Sequence, residues 1–119
     1  MNDCVFCKIA NGEISSEKIY ENDNFFSILD ANPVVEGHSL VISKKHFENI
    51  FEISDELLGE MNIVCKKIAN LLKKKFGINS VNLLNASGKA AQQSVFHIHY
   101  HVVPRKEGDG LDLWFHGKD

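Results

Sequence analysis

Several things are scarce in this chain, and each scarcity excludes something. No basic tract exceeds Lys73, Lys74 and Lys75, and the net charge is −3. A nucleic acid duplex is therefore not an expected partner, because duplex binding calls for a basic patch or stripe. No apolar run approaches the roughly 20 residues needed to cross a bilayer, so no membrane partner is expected. The opening ten residues, MNDCVFCKIA, lack both the basic start and the apolar middle of a secretory signal. Cysteine is limited to three, an odd number that suits no disulfide framework. Two of them, Cys4 and Cys7, form a C-x-x-C, which in a non-secreted chain reads as metal or redox chemistry. A cytoplasmic location is the expectation. Repeats, low-complexity segments and linkers are also absent, so residues 1–119 read as a single domain.

What is present is a chain 44% hydrophobic and 24% charged, which suffices for a real core. CVFCKIANGE predicts a short helix that breaks at Asn11-Gly12. KIYEN and FFSILD read as two short strands around the turn residues Asn22, Asp23 and Asn24. Asn32-Pro33 opens a loop that runs to Gly37, and HSLVIS is a third strand. Ser54 is a good N-cap for a long helix, with Asp55 and Glu56 in its first turn and Gly77 as its stop. Along it Leu57, Leu58, Met61, Val64, Cys65, Ile68, Leu71 and Leu72 form one apolar stripe. SVNLLN is the next strand. After the polar loop ASGKAAQQ, VFHIHYHVV is the last strand, ended by Pro104. The sum is α+β: an antiparallel sheet of about five strands, one long helix on a face, and a short N-terminal helix.

His97, His99 and His101 alternate in that last strand. Residues two apart on a strand share a face at a spacing of roughly 6.6–7 Å. Three half-buried histidines in register would each need a hydrogen-bond partner. One ion held by all three is excluded by distance, since the outer pair lies about 13–14 Å apart and zinc–nitrogen bonds are about 2.0–2.1 Å. Nucleophilic catalysis is the third reading. A neutral imidazole attacks phosphorus near pH 7 and forms a covalent intermediate that water resolves. His99 is flanked by a histidine on each side, with Gln93 and Ser94 just upstream and Asn85 at the end of the preceding strand as phosphate-side donors.

These residues resemble a known family. His97-Ile98-His99-Tyr100-His101-Val102-Val103 fits the H-φ-H-φ-H-φ-φ signature of the histidine triad (HIT) superfamily of nucleotide hydrolases and transferases. CVFCKI, LDANPVVEGHSLVISKKH and QSVFHIHYHVVPR stand in the family's order and spacing, and the bacterial Hint-type branch is the most similar. The resemblance implies that His99 attacks the α-phosphorus, that His101 contacts the α-phosphate and that His38 supports the nucleophile. It places Ser94 and Gln93 beside the α-phosphate and leaving group, and Asn85 on the phosphate side. Asp30 would hold the ribose hydroxyls. Phe6, Ile9, Ile14, Ile28 and Ala31 fall at purine-pocket positions, although plain core is an equal reading of those five. The resemblance also implies a structural zinc site in which His46 and His97 join Cys4 and Cys7, against redox use of the C-x-x-C, and it leaves Cys65 to the core. A two-fold homodimer is implied as well. Two features depart from the family: Gln92 stands where many members have glycine before the Gln-Ser pair, and the segment LDLWFHGKD is short.

The expected function is hydrolysis of purine nucleoside phosphoramidates through a nucleotidyl-histidine on His99. Two alternatives stay open: dinucleoside polyphosphate hydrolysis, as in the Fhit-like branch, and a nucleotide-binding interaction module with little activity.

Overall fold

The computed structural model describes residues 3–116. The first two residues of MNDCVFCKIA and the last three of LDLWFHGKD lie outside the described residues. In chain order the elements are helix α1 (Val5–Ala10), strands β1 (Lys18–Glu21), β2 (Phe25–Leu29) and β3 (Ser39–Ser43), helix α2 (Asp55–Phe76), strand β4 (Ser80–Leu84), a short 3-10 turn (Lys89–Ala91) and strand β5 (His99–Arg105). All strand pairings are antiparallel, in the order β1-β2-β3-β5-β4. The expected α+β architecture is therefore the observed one.

The caps of α2 follow from its terminal residues. The Ser54 hydroxyl accepts the Leu57 N–H at 3.2 Å, and Asp55 and Glu56 sit at the positive end of the helix. Gly77 adopts φ 67°, a left-handed conformation open to glycine, and its N–H returns to the Lys73 carbonyl at 2.9 Å. Met61, Val64, Cys65, Ile68 and Leu72 bury one stripe of α2 against Phe25, Val41 and Val102 of the sheet. Each such side chain contributes roughly 1.5–3 kcal/mol when fully buried. Leu71 departs from the expected stripe and is 46% exposed. It sits about 80° around the helix from Met61, at the stripe's margin, where the sheet no longer covers it. Cys65 is fully buried in this core, and burial pushes its thiol pKa up to about 12.

Alternation along the strands sends Phe26, Ile28, Leu40 and Ile42 to the other face, where Phe6 and Ile9 of α1 cover them. The sheet thus has two apolar layers, α2 on one side and α1 on the other. The histidines lie on the α1 side.

The last strand is shorter at its start and longer at its end than expected. Pairing begins at His99, and the backbone bends over residues 94–97. The Ile98 N–H donates to the Phe47 carbonyl at 2.7 Å rather than to a strand neighbour. The argument that one strand carries all three histidines therefore holds for His99 and His101 but not for His97. At the far end Pro104 continues the strand. The ladder with β3 stops at Val102, so Pro104 faces only β4 and its missing N–H leaves no partner unsatisfied.

Gly37 shapes the approach to β3. It has φ +92°, and an added Cβ would lie 2.8 Å from the Phe76 ring and 3.3 Å from Pro104. Only glycine lets the loop close against the end of α2 there and turn His38 inward.

Candidate functional site

The hydrogen bonds sort His38, His97, His99 and His101 into two tautomers, with the proton on Nδ1 in His99 and on Nε2 in the other three. The carbonyl of Ser43, 2.6 Å from His97 Nε2, can only accept, so His97 keeps its proton on Nε2 and turns a lone pair on Nδ1 toward the cysteines. The carbonyl of His97, 2.8 Å from His99 Nδ1, fixes the opposite tautomer on His99 and frees its Nε2 lone pair. The Val34 N–H donates to His38 Nδ1 at 3.2 Å, so His38 carries its proton on Nε2 and donates it to His101 Nδ1 at 2.9 Å. His101 is left with an N–H at Nε2. These tautomers are assigned from the hydrogen-bond network.

His97 is fully buried, and His38 and His99 are 5% and 6% exposed. Burial lowers the pKa of each below the ordinary histidine value. For His97 the value falls to about 4. His101 is also lowered to about 4, first by burial and then by His99 and His38, with Asp30 opposing. All four imidazoles are therefore neutral at pH 7, as a nucleophile or a metal ligand must be.

A cleft of about 550 Å³ opens in front of these groups, a size suited to a small ligand. His99, His101 and Ser94 line one end. Phe6, Ile9, Ile14, Ile28, Asp30 and Ala31, all six of the expected nucleoside positions, line the rest. The Phe6 ring meets His99 edge-on, with centroids 5.2 Å apart. Asp30 also approaches two of the histidines, its Oδ2 3.4 Å from His38 Nε2 and 3.8 Å from His101 Nδ1. Its Oδ1 accepts the Asn32 N–H at 2.8 Å.

Two expected phosphate contacts occupy different places. The Asn85 amide donates to the His99 carbonyl at 3.0 Å and accepts from Ser87 Oγ at 2.8 Å. The Gln93 amide is 6% exposed. It accepts the Gly88 N–H at 2.8 Å and donates to the carbonyls of Glu48 at 2.6 Å and Val95 at 3.0 Å. Both side chains brace backbone here, and neither lines the cleft. Gln92 is the one non-glycine residue with positive φ among the described residues, at φ 70° and ψ 31°. This is why glycine suits that position. Sequence reasoning missed Ser15, Ser16, Asn32 and Leu40, which also line the cleft. Leu40 was accessible to it, being two residues beyond His38 and in β3; the other three sit in loops without periodicity.

Cys4, Cys7, His46 and His97 place one ligand atom each within 4.8 Å of one another. Sulfur-to-nitrogen separations are 3.2 Å for Cys4–His97, 3.3 Å for Cys7–His46 and 3.4 Å for Cys7–His97. Tetrahedral zinc with these ligands sets sulfur and nitrogen about 3.5 Å apart. The Nε2–H bond from His97 to Ser43 is the outer support that a metal-bound imidazole ordinarily has. Two sulfurs, two nitrogens and this support fit a closed structural zinc site. Asp30, His38 and His101 also cluster, but the Val34 N–H occupies His38 Nδ1, so His38 turns an N–H into that cluster and spends it on His101 Nδ1.

Comparison with known proteins agrees with this geometry. The HIT-domain family model matches residues 11–108. The Adenylylsulfatase HINT3 of Arabidopsis thaliana is 46% identical over 110 residues, covering 92% of this chain and 56% of that protein. The Adenosine 5'-monophosphoramidase HNT1 of Saccharomyces cerevisiae is 36% identical over 104 residues, covering 87% of this chain and 63% of that protein. A Zn-bound histidine triad family protein from Mycobacterium smegmatis superposes with a TM-score of 0.89 at 41% identity, covering 93% of this chain and 81% of that one. With the match spanning most of its length and its fold shared with a solved histidine triad protein, this chain belongs to the HIT family.

Proposed function

We propose that this protein hydrolyses purine nucleoside phosphoramidates through a nucleotidyl-histidine intermediate on His99. The observation that carries the reading is the His99 ring: its Nδ1–H is tied to the His97 carbonyl at 2.8 Å, and its Nε2 lone pair is free at a cleft with an apolar wall. Nε2 attacks the α-phosphorus and forms a P–N bond to the enzyme as the bond to the amine breaks. The nitrogen leaves as the neutral amine from a substrate already protonated at that nitrogen by solvent, while the neutral His101 keeps its Nε2–H as a hydrogen-bond donor beside the phosphoryl group. Water then attacks phosphorus, releases the nucleoside monophosphate and restores the neutral imidazole. Ser94 donates to the α-phosphate. Asn85 and Gln93 act on the phosphate side by holding the backbone that carries these groups. Asp30 binds the ribose hydroxyls, and Phe6, Ile9, Ile14, Ile28 and Ala31 enclose the base.

The residues lining the cleft include one carboxylate, Asp30, and no lysine or arginine. That favours a substrate of low negative charge over a polyphosphate chain, whose charge would need cations nearby. The relatives named for adenylylsulfatase and adenosine monophosphoramidase activity support attack at the phosphorus of an adenylyl group.

Zinc, held by Cys4, Cys7, His46 and His97, is the proposed structural cofactor; when bound it supplies a cross-link and no chemistry at phosphorus. No helix among the described residues is long and apolar enough to cross a membrane, and we place the protein in the cytoplasm as one domain. A two-fold homodimer is supported by the edge position of β4 and by the exposed apolar Ile63, Leu83 and Leu84. A monomeric mass by light scattering would refute it.

The test offers the purified protein adenosine 5′-phosphoramidate, adenylyl sulfate and diadenosine tetraphosphate side by side and follows AMP. Fastest release from the phosphoramidate, lost in His99→Ala with the fold intact, is the expected result. Turnover of the dinucleotide alone would move the reading to the Fhit-like branch. AMP binding without turnover of any substrate would make the protein a binding module.

A further inference from the structure

Two residues join the metal cluster to the cleft: His97, which belongs to the cluster, and Phe6, which lines the cleft. His97 offers Nδ1 to the cysteines, while its own main-chain carbonyl accepts the Nδ1–H of His99 at 2.8 Å. Phe6 stands between Cys4 and Cys7 in the chain. Its ring meets His97 edge-on at 5.8 Å and His99 edge-on at 5.2 Å, and it also lines the cleft.

The helix that carries Phe6 has little stability of its own. At six residues, α1 is well below the roughly 12–15 residues at which an isolated helix becomes even marginal in water. Its start is Cys4, whose Sγ accepts the Cys7 N–H at 3.4 Å, so both cysteines lie at the end that a metal would clamp. The other side of the clamp is anchored in the sheet: the His97 ring is held by the Ser43 carbonyl at 2.6 Å, at the end of β3. A metal at this centre therefore ties α1, and with it the Phe6–Ile9 wall of the cleft, to the end of β3 and to the residue that orients the nucleophile.

We infer that the C-x-x-C metal centre is a positioning device for the nucleotide cleft, acting through Phe6 and the His97 carbonyl, so that metal and nucleotide tighten each other's binding. Phe6 and His97 are positioning residues in this scheme. Phe6 sets the wall against which the base rests, and the His97 carbonyl holds the lone pair of His99 in place. A ligand pressed between α1 and His99 in turn restrains the backbone of three of the four metal ligands. The two effects are one coupling free energy, so the factors must be equal in both directions. This inference rests on the nucleotide reading of the cleft given above.

The experiment uses zinc-loaded protein with AMP as the probe. A chromogenic chelator is titrated with and without saturating AMP to give the zinc affinity. AMP binding is measured by calorimetry on the loaded and the chelated protein, with circular dichroism on both. The expected result is zinc held at least about fivefold more tightly with AMP, and AMP weakened by the same factor when zinc is removed. Phe6→Leu keeps all four ligands and much of the apolar volume but loses the ring edges. It should bind zinc stoichiometrically while the coupling factor falls toward one, a loss that bears on the inference even if the chelated native protein unfolds. AMP bound by the loaded protein with no change in zinc affinity would overturn the inference and leave the nucleotide reading standing. No AMP binding at all would overturn both. An undiminished factor in Phe6→Leu would overturn the route through Phe6.

Discussion

Gln92 offers a direct test of how the loop between β4 and β5 is built. It occupies the left-handed region at φ 70° and ψ 31°. Its N–H closes the short turn onto the Lys89 carbonyl at 2.9 Å. Its side chain is exposed and makes no hydrogen bond among the described residues, so replacing it removes no side-chain hydrogen bond. A left-handed conformation costs an L-residue about 1–2 kcal/mol. Gln92→Gly relieves that cost but frees the unfolded chain, which returns about 0.5–1 kcal/mol. The net gain is about 0.5–1 kcal/mol, or a rise in Tm of about 2–4 °C for a domain of this size. Gln92→Asn should fall between, because asparagine tolerates this region, and Gln92→Val should lose about 1 kcal/mol or more. Thermal and urea melts of the four proteins give the ranking Gly, Asn, Gln, Val. A Gln92→Gly variant that melts below the parent, or a valine variant that melts with it, would refute the argument from backbone strain. The glycine variant should retain AMP binding, since the Gly88–Gln93 hydrogen bond that shapes the loop is untouched.

Three further outcomes follow from the same geometry. Gly37→Ala should cost about 2 kcal/mol or more, because it adds a Cβ 2.8 Å from the Phe76 ring at φ +92°; an unchanged urea midpoint would contradict this. Asn85→Ala removes the donor to the His99 carbonyl and should cost about 1–2 kcal/mol of stability while lowering kcat more than it raises KM. A rise in KM at constant kcat would instead put Asn85 on the substrate. Burial lowers the pKa of His38 and takes His101 to about 4, so between these values and the unfolded value near 6.5 the unfolded chain binds more protons. Stability should therefore be complete above about pH 6.5 and fall as pH drops, with His101 alone contributing on the order of 3 kcal/mol by pH 4. Urea melts across that range that show a constant midpoint would rule this out.

How much of this was legible from residue order depends on how local the physics is. The ends of α2 were readable because Ser54 and Gly77 act on neighbours three and four positions away. The start of β5 was not. Alternation through 95–98 reports which way side chains face, whereas pairing depends on what the backbone meets, and the Ile98 N–H meets Phe47. Asn85 and Gln93 show the same limit: an amide near phosphate-binding residues suggests a ligand contact, but its partner is decided by tertiary approach. The four cysteine and histidine metal positions converge as the family resemblance implied, although they come from three separate parts of the chain. Gln92 stood out as a departure, but only its φ reveals what the departure costs.

The strand order carries one last consequence. β5 is the last strand in the chain but sits in the interior of the sheet, between β3 and β4. Until it inserts, both neighbours present open ladders of unpaired N–H and C=O groups, which is the state most prone to pairing with another chain. Loop closure over such separations is slow compared with forming α2 or the β2–β3 hairpin. A chain emerging from the ribosome would thus complete its β1–β2–β3 and α2 portion first and acquire sheet closure and the His97–His101 segment together, late. The segment that carries His97, His99 and His101 is therefore placed in the same step that closes the sheet, and these side chains come together only as the fold is completed.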